Sequence, residues 1–341
     1  MRQPDRSQFA GCLIGQCLGD AAGFVVEGQP PDLCRRYVEK ALKARHVPDQ
    51  GRGEFGFGQY SDDSQLAREL LQSYADRHTF DPSDYARRIA DIFRENRIVG
   101  CGWATLQASQ RLIDGWPWDK AGAPPPSAGN GSAMRAAPIG LLFHDDRAGM
   151  LQAAHEQSWI THQDRRCSAG AIAVAGAVVL AMQQDAIDVP DFSLQLSRWT
   201  RPSDPILADA LKRINEWIDC PPDQAAMIIS KIGLPLGHSD EWQGISPFVT
   251  TSVLWSLYSF LRSPDEYWET ICTAVSVGGD VDTTAAMAGA IGGARVGLEG
   301  LPASLTRLVS DRGSWGYNDL VDLAHRCHAI KQVLTKRERS G

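Results

Sequence analysis

FAGCLIGQCLGDAAGFVV, residues 9–26, places Gly11, Gly15, Gly19 and Gly23 four residues apart. On an α-helix these positions form one nearly continuous stripe. A stripe without side chains lets another backbone come close. Four glycines cost a helix roughly 1 kcal/mol each relative to alanine, so tight packing at the centre of a helical domain is expected to compensate. A Gly-rich loop is the competing reading, and the apolar residues between the glycines favour a buried helix. A second segment, GGDVDTTAAMAGAIGGARVG at 278–297, has the same Gly/Ala texture. The two could pack on each other through small-residue contact.

Outward from these segments, apolar residues recur at helical spacing. Helices are expected near 33–44, 62–77, 83–96, 101–114, 133–143, 147–159, 164–184, 206–218, 223–232, 247–261, 264–277, 302–309 and 317–335. Residues 29–59 read as the short helix at 33–44 followed by a long loop, and 116–132 as a long irregular segment. The stretch 185–222, with Pro190, Pro202, Pro205, Pro221 and Pro222, reads as loops around the one helix at 206–218. ICTAVSV (271–277) is the best strand candidate, and a buried helix fits it as well. No composition shift marks a boundary. The fold class expected is all-α, one domain over residues 1–336, with a solvated and mobile tail at 337–341.

The chain of 341 residues can bury a sizeable core, and its 43% hydrophobic and 22% charged residues are those of a globular protein. A formal charge of −7 argues against a general binder of nucleic acid or anionic membrane. None of the eight cysteines forms a CxxC pair, so a zinc knuckle is not expected. Scattered through apolar context, they read as small buried thiols in a reducing compartment. No secretory signal and no uninterrupted apolar run of about 18 residues is visible. A cytoplasmic, soluble protein is the expectation, with monomer as the default.

Chemistry concentrates in two acidic segments. YSDDSQLA (60–67) carries Ser61, Asp62 and Asp63 where a helix begins; DVDTT (280–284) carries Asp280, Asp282 and Thr283 at the mouth of the Ala/Gly helix. Capping explains one acceptor at a helix start. Each site here supplies three oxygen-bearing side chains, and the GG before Asp280 permits a backbone geometry that a simple cap does not need. Four carboxylates match two divalent cations in charge. Two such ions about 3.5–4 Å apart form a known catalytic arrangement. Without His or Cys in either segment, Mg²⁺ or Mn²⁺ is preferred over zinc. A rival reading takes DVDTT as the DxDxT nucleophile loop of a phosphatase, which requires a buried parallel strand before Asp280.

Five motifs in order resemble the ADP-ribosylglycohydrolase family, which includes the dinitrogenase reductase activating glycohydrolase. They are GCLIGQCLGDAAG (11–23), YSDDS (60–64), GNGSAMRAAPIGLL (129–142), THQD with its following helix (161–181) and GGDVDTTAAMAGAIGGARVG (278–297). The resemblance implies a single compact orthogonal helical domain, a two-ion Mg²⁺ or Mn²⁺ centre and hydrolysis of an N- or O-glycosidic bond to ADP-ribose. It assigns Ser61, Asp62, Asp63, Asp280, Asp282 and Thr283 as metal ligands. The family usually has Thr where Ser61 stands; Ser keeps the hydroxyl and loses the methyl that stiffens the rotamer. Glu27, Asp62, Asp63 and Asp282 are the catalytic candidates. Gly100, Gly102, Gly129, Asn130, Gly131, Ser132, Met134, Arg135 and His162 are the candidates for binding the ADP-ribose moiety. Gly129 and Gly131 would let amides face a diphosphate, with a helix N-terminus behind the loop. Arg135 would reach a phosphate or pair with an acid.

Cleavage of a ribosyl bond builds positive charge at the anomeric carbon. Ions gripping the ribose and lowering the pKa of a water would suit that reaction, with Glu27 or a site aspartate managing the proton. The acceptor has no readable code in the 29–59 and 116–128 loops. Arginine-linked mono-ADP-ribose is the first expectation, on resemblance to bacterial members. A non-catalytic ADP-ribose binder is the alternative.

Overall fold

The computed structural model describes residues 3–47, 49–234 and 242–340, with side chains through 336. The glycine stripe is helical. α1 (Arg6–Phe24) starts at a capping box in which Asp5 and Gln8 bond each other's backbone N–H. α2 (Pro31–Tyr37) runs into a π-helical turn over Val38–Leu42. A hairpin of two-residue strands, Gly51–Arg52 against Phe55–Gly56, interrupts the loop expected within 29–59. Then follow α3 (Asp62–Arg77), α4 (Pro82–Arg94), α5 (Trp103–Ile113) and α6 (Trp118–Ala121). The middle of the chain forms α7 (Ala137–Leu142), α8 (Arg147–Trp159), α9 (Arg165–Gln183), α10 (Val189–Thr200), α11 (Pro205–Lys212) and α12 (Pro222–Ile229). α13 (Val249–Arg262), α14 (Tyr267–Val275), α15 (Val281–Val296), α16 (Ala303–Thr306) and α17 (Tyr317–Ser340) complete it.

The all-α class therefore stands, with 17 helices and one tiny sheet among the described residues. Two local expectations change. α10 lies where loops were expected: Asp188 caps it and Pro190 occupies its first turn, where proline's missing N–H costs nothing. The helix expected over 133–143 starts only at Ala137, because 131–135 form consecutive turns. ICTAVSV is helix and turn, so no strand precedes Asp280 and the phosphatase reading lacks the element it needs. The tail expected at 337–341 lies outside the described residues in its side chains and at Gly341, while the backbone of α17 stays helical to Ser340.

α1 and α15 cross at the centre with their backbones in contact. A Cβ on Gly15 would lie 2.4 Å from the Gly289 carbonyl oxygen, and one on Gly19 would lie 2.1 Å from that of Ala285. Both helices are buried on all sides. α15 is covered further by α9, α13 and α14, and α1 by α3 and α17. Among the described residues α9 is the one helix long and apolar enough to cross a membrane, and 89% of that window is packed inside the protein.

This contact predicts opposite outcomes for two Gly-to-Ala changes. Gly19→Ala drives a methyl into a backbone carbonyl and is expected to cost about 3 kcal/mol, against the roughly 1 kcal/mol that alanine returns in helix propensity. Gly292→Ala in α15 meets only ordinary contacts, the nearest at 3.4 Å. It is expected to be neutral or stabilising by up to about 1 kcal/mol. Urea denaturation of both variants measures the difference.

Candidate functional site

α3 begins at the cleft because Ser61 caps it: its Oγ accepts from the Asp63 N–H at 3.3 Å and donates to Asp63 Oδ2 at 2.8 Å. Asp62 and Asp63 thus stand in the first turn, buried and turned inward. The second acid pair arrives on a turn that only glycine permits. Gly278 and Gly279 have φ of +76° and +89°, and a Cβ on Gly279 would lie 2.1 Å from the Ile245 carbonyl oxygen. The Gly279 carbonyl accepts from Gly28 N–H at 2.9 Å, which brings the segment carrying Glu27 alongside. Asp280 makes no side-chain cap to α15. It accepts from Asn130 Nδ2 instead.

Carboxylate oxygens of Glu27, Asp280 and Asp282 lie within 4.8 Å of one another. Ser61, Asp62, Asp63 and Thr283 share the same cleft, of about 430 Å³. Glu27 is also ion-paired with Arg52 of the hairpin, whose guanidinium stacks 4.9 Å over the Phe24 ring. Two buried oxygens, Asp63 Oδ1 and Asp282 Oδ1, have no hydrogen-bond partner among the described residues. Orphaned, buried, anionic oxygens in an all-oxygen donor set are what a hard divalent cation satisfies. The residues present therefore fit an Mg²⁺ or Mn²⁺ centre.

Burial, with repulsion from neighbouring acids, opposes ionisation of the four cleft aspartates. Burial raises the Asp280 carboxyl to about 6, with hydrogen bonds from neighbours holding it down. Asp62, Asp63 and Asp282 are pushed well above the usual carboxylate range, first by burial and then by neighbouring acids.

The rest of the cleft is Gly-rich backbone. Gly100 adopts φ +69°, and a Cβ there would sit 3.4 Å from Asp62 Oδ1. Gly129, Asn130, Gly131 and Met134 form the facing wall, and Gly102 lies on the rim. His162 packs under that wall: a Cβ on Gly131 would lie 2.9 Å from its Cε1. Burial and the nearby Arg135 lower the imidazole to about 3, so His162 is neutral. Its Nδ1 faces Thr161 Oγ1 at 2.8 Å, and that hydroxyl accepts from Arg135. A hydroxyl accepting from Arg135 and donating to Nδ1 leaves the ring proton on Nε2, facing the glycine loop.

Two expected substrate contacts move. Ser132 is fully buried, its hydroxyl bonded to Ser158 and the Cys167 carbonyl. Arg135 is also fully buried, donating to Gln157 and Thr161 under the Tyr85 ring. Neither side chain lines the cleft, because the 131–135 turns send both into the core. Arg135 acts instead as a cation behind Asp62, lowering that carboxyl's pKa. The helix N-terminus expected behind the glycine loop is likewise displaced. α7 starts in the core, and the helix start that opens on the cleft belongs to α5, through Trp103, Ala104 and Thr105. Gly102 gives that helix no side-chain cap. Cys101, Trp103, Ser127, Trp242 and Pro247 also line the cleft. No sequence signal marked them except the position of Cys101 and Trp103 beside the two glycines.

The raised carboxyls predict a pH dependence. For each, the unfolded chain releases its proton near 3.8 while the fold retains it to a higher pH. The metal-free fold therefore loses stability as pH rises through that window, which ends near 6 for Asp280. A cation takes the protons' place. The rise in Tm on adding Mn²⁺ is accordingly expected to be larger at pH 8 than at pH 5, and to shrink in Asp282→Asn. At a hundredfold excess over Kd the stabilisation is about 2.7 kcal/mol, readable by differential scanning fluorimetry.

Comparison with known proteins bears on the fold and the family. A solved structure described as an ADP-ribosylglycohydrolase-related protein complex superposes with a TM-score of 0.71, covering 96% of this chain and 98% of that one, at 24% identity. That likeness is one of fold. The human ADP-ribosylhydrolase ARH3 is 30% identical over 96% of this chain and 94% of its own length. The ADP-ribosylarginine hydrolase Tri1 of Pseudomonas putida is 26% identical over 86% of this chain and 71% of its own. The ADP-ribosylglycohydrolase family model matches residues 1–338. The chain belongs to the ADP-ribosylglycohydrolase family.

Proposed function

We propose that the protein is a metal-dependent hydrolase that releases ADP-ribose from an acceptor by cleaving its glycosidic bond. The observation that carries this reading is the convergence of two acid pairs, more than two hundred residues apart in sequence, with Glu27 in one cleft walled by glycine backbone. Asp62, Asp63, Asp280 and Asp282, with the hydroxyls of Ser61 and Thr283, would hold two Mg²⁺ or Mn²⁺ ions. When bound, such ions supply Lewis acidity and a template for ribose hydroxyls.

The chain's own groups do the rest. The amides of Gly129 and Gly131 and the first turn of α5 offer donors to a diphosphate, while the Asn130 amide is held by the Pro247 carbonyl. His162 supports the glycine wall from below and adds an N–H. Holding the diphosphate fixes where the ribose lies. Glu27, at the edge of the acid cluster and part-exposed, is placed to take a proton from the attacking water, while its pairing with Arg52 holds its orientation. The acceptor proposed first is arginine-linked ADP-ribose, a proposal that the name of the P. putida relative, an ADP-ribosylarginine hydrolase, supports.

Chromatography of ADP-ribose released from an ADP-ribosyl-arginine protein tests the reading. Release is expected with Mg²⁺ or Mn²⁺, none with excess chelator, and a loss of about 100-fold or more in Asp282→Ala, corresponding to a few kcal/mol of transition-state stabilisation. Release from serine-linked or O-acyl substrates alone would replace the acceptor and keep the reaction. ADP-ribose binding with no turnover on any of them would replace the hydrolase by a non-catalytic binder.

A further inference from the structure

α1 touches both halves of the acid cluster, and two of its polar side chains have no other task. Asp20 is fully buried and lies outside the cleft lining. Its Oδ1 accepts from Ser61 N–H at 2.9 Å; its Oδ2 accepts from Ser64 N–H at 3.1 Å, from Ser64 Oγ at 2.7 Å and from Ser61 N–H at 3.0 Å. These bonds bracket Asp62 and Asp63. One turn earlier on α1, Gln16 Nε2 donates to the Asp63 carbonyl at 3.0 Å and to the Met134 carbonyl at 3.0 Å. One turn later, Gly23 sits against the other acid pair: a Cβ there would lie 2.4 Å from Asp282 Cα.

We infer that Asp20, with Gln16, is a positioning residue that fixes the Asp62–Asp63 pair relative to the Asp280–Asp282 pair, using α1 as the ruler between them. This rests on the two-ion reading above. Asp20 lies three residues before Gly23, on the neighbouring turn of the same face. Its carboxylate caps α3 from outside, accepting the N–H of the N-cap residue and of the third helical residue. Ser61 takes the N–H of Asp63. The capping needs of the first turn are thereby met without Asp62 or Asp63, whose carboxylates stay available to the cleft. A ligand role for Asp20 itself does not fit, because both its oxygens are occupied by these donors. Outer partners that orient ligands typically change metal affinity by 10–100-fold when altered.

Isothermal titration of Mn²⁺ into the full chain tests this, alongside Tm. Asp20→Asn keeps the shape but turns an N–H₂ toward backbone donors, and is expected to weaken Mn²⁺ binding by about 10-fold or more. Ser64→Ala removes one donor to Asp20 and is expected to weaken it several-fold. Ser73→Ala, further along α3, removes a bond to Asp84; it is expected to lower Tm while leaving Mn²⁺ affinity within about twofold. Unchanged affinity in Asp20→Asn overturns the inference, as does an equal loss in Ser73→Ala, which would make Asp20 a general stabiliser of α3. If Asp20→Asn does not fold, Ser64→Ala decides by the same criterion. Wild-type protein that binds no Mn²⁺ overturns the two-ion reading itself, and the inference with it.

Discussion

The contact on which the molecule depends is between two backbones, with almost nothing between them. Where α1 crosses α15, glycines on each helix face carbonyls on the other at distances that no Cβ could occupy. Neither helix has a polar face to give to water, so both must lie at the centre, with α9 and α13 nearly as buried beside α15. That requirement selects an all-helical architecture. It also places the functional site, because the N-terminal end of α15 carries Asp280, Asp282 and Thr283, and α1 passes directly beside it.

Burying four acids beside a part-exposed fifth works against folding unless something offsets their repulsion. The protein treats another buried acid quite differently. Asp84 is bonded by Ser73, Arg77, Arg87 and Arg88, which hold its carboxyl well below the usual range. The cleft acids receive no such arginine cover. Arg135 acts on Asp62 only from behind, and the remaining partners are hydroxyls, one asparagine and the Arg52 that pairs with Glu27 at the edge. Stability is given up at the centre so that oxygens remain open. The charge deficit left in the cleft is of the kind that bound cations correct.

The helical class and the two acid segments were legible because their signals are local: glycine every four residues, and clustered oxygen donors at helix starts. α10 was not, because Pro190 reads as a breaker unless its place in the first turn is known. Ser132 and Arg135 sit in the right motif and point the wrong way, since a run of turns at 131–135 decides their direction and no periodicity reveals it. Asp20 lay in plain view within GDAAG. Its purpose depends on Ser61 and Ser64, forty residues on, and such a partnership exists only in three dimensions.

The pairing of α1 with α15 also has a consequence in time. Gly11 meets Gly293, so α1 is synthesised long before the neighbour it packs against. At roughly 5–20 residues per second, α1 waits on the order of 15–50 s as a glycine-weakened, apolar segment with no groove to lie in. Contacts this distant in sequence form slowly. The nascent chain is therefore open to aggregation through most of its synthesis, and a copy that stalls before residue 280 has neither a centre nor half of its acids. In this architecture neither the centre nor the acid cluster can form before α15 has been made.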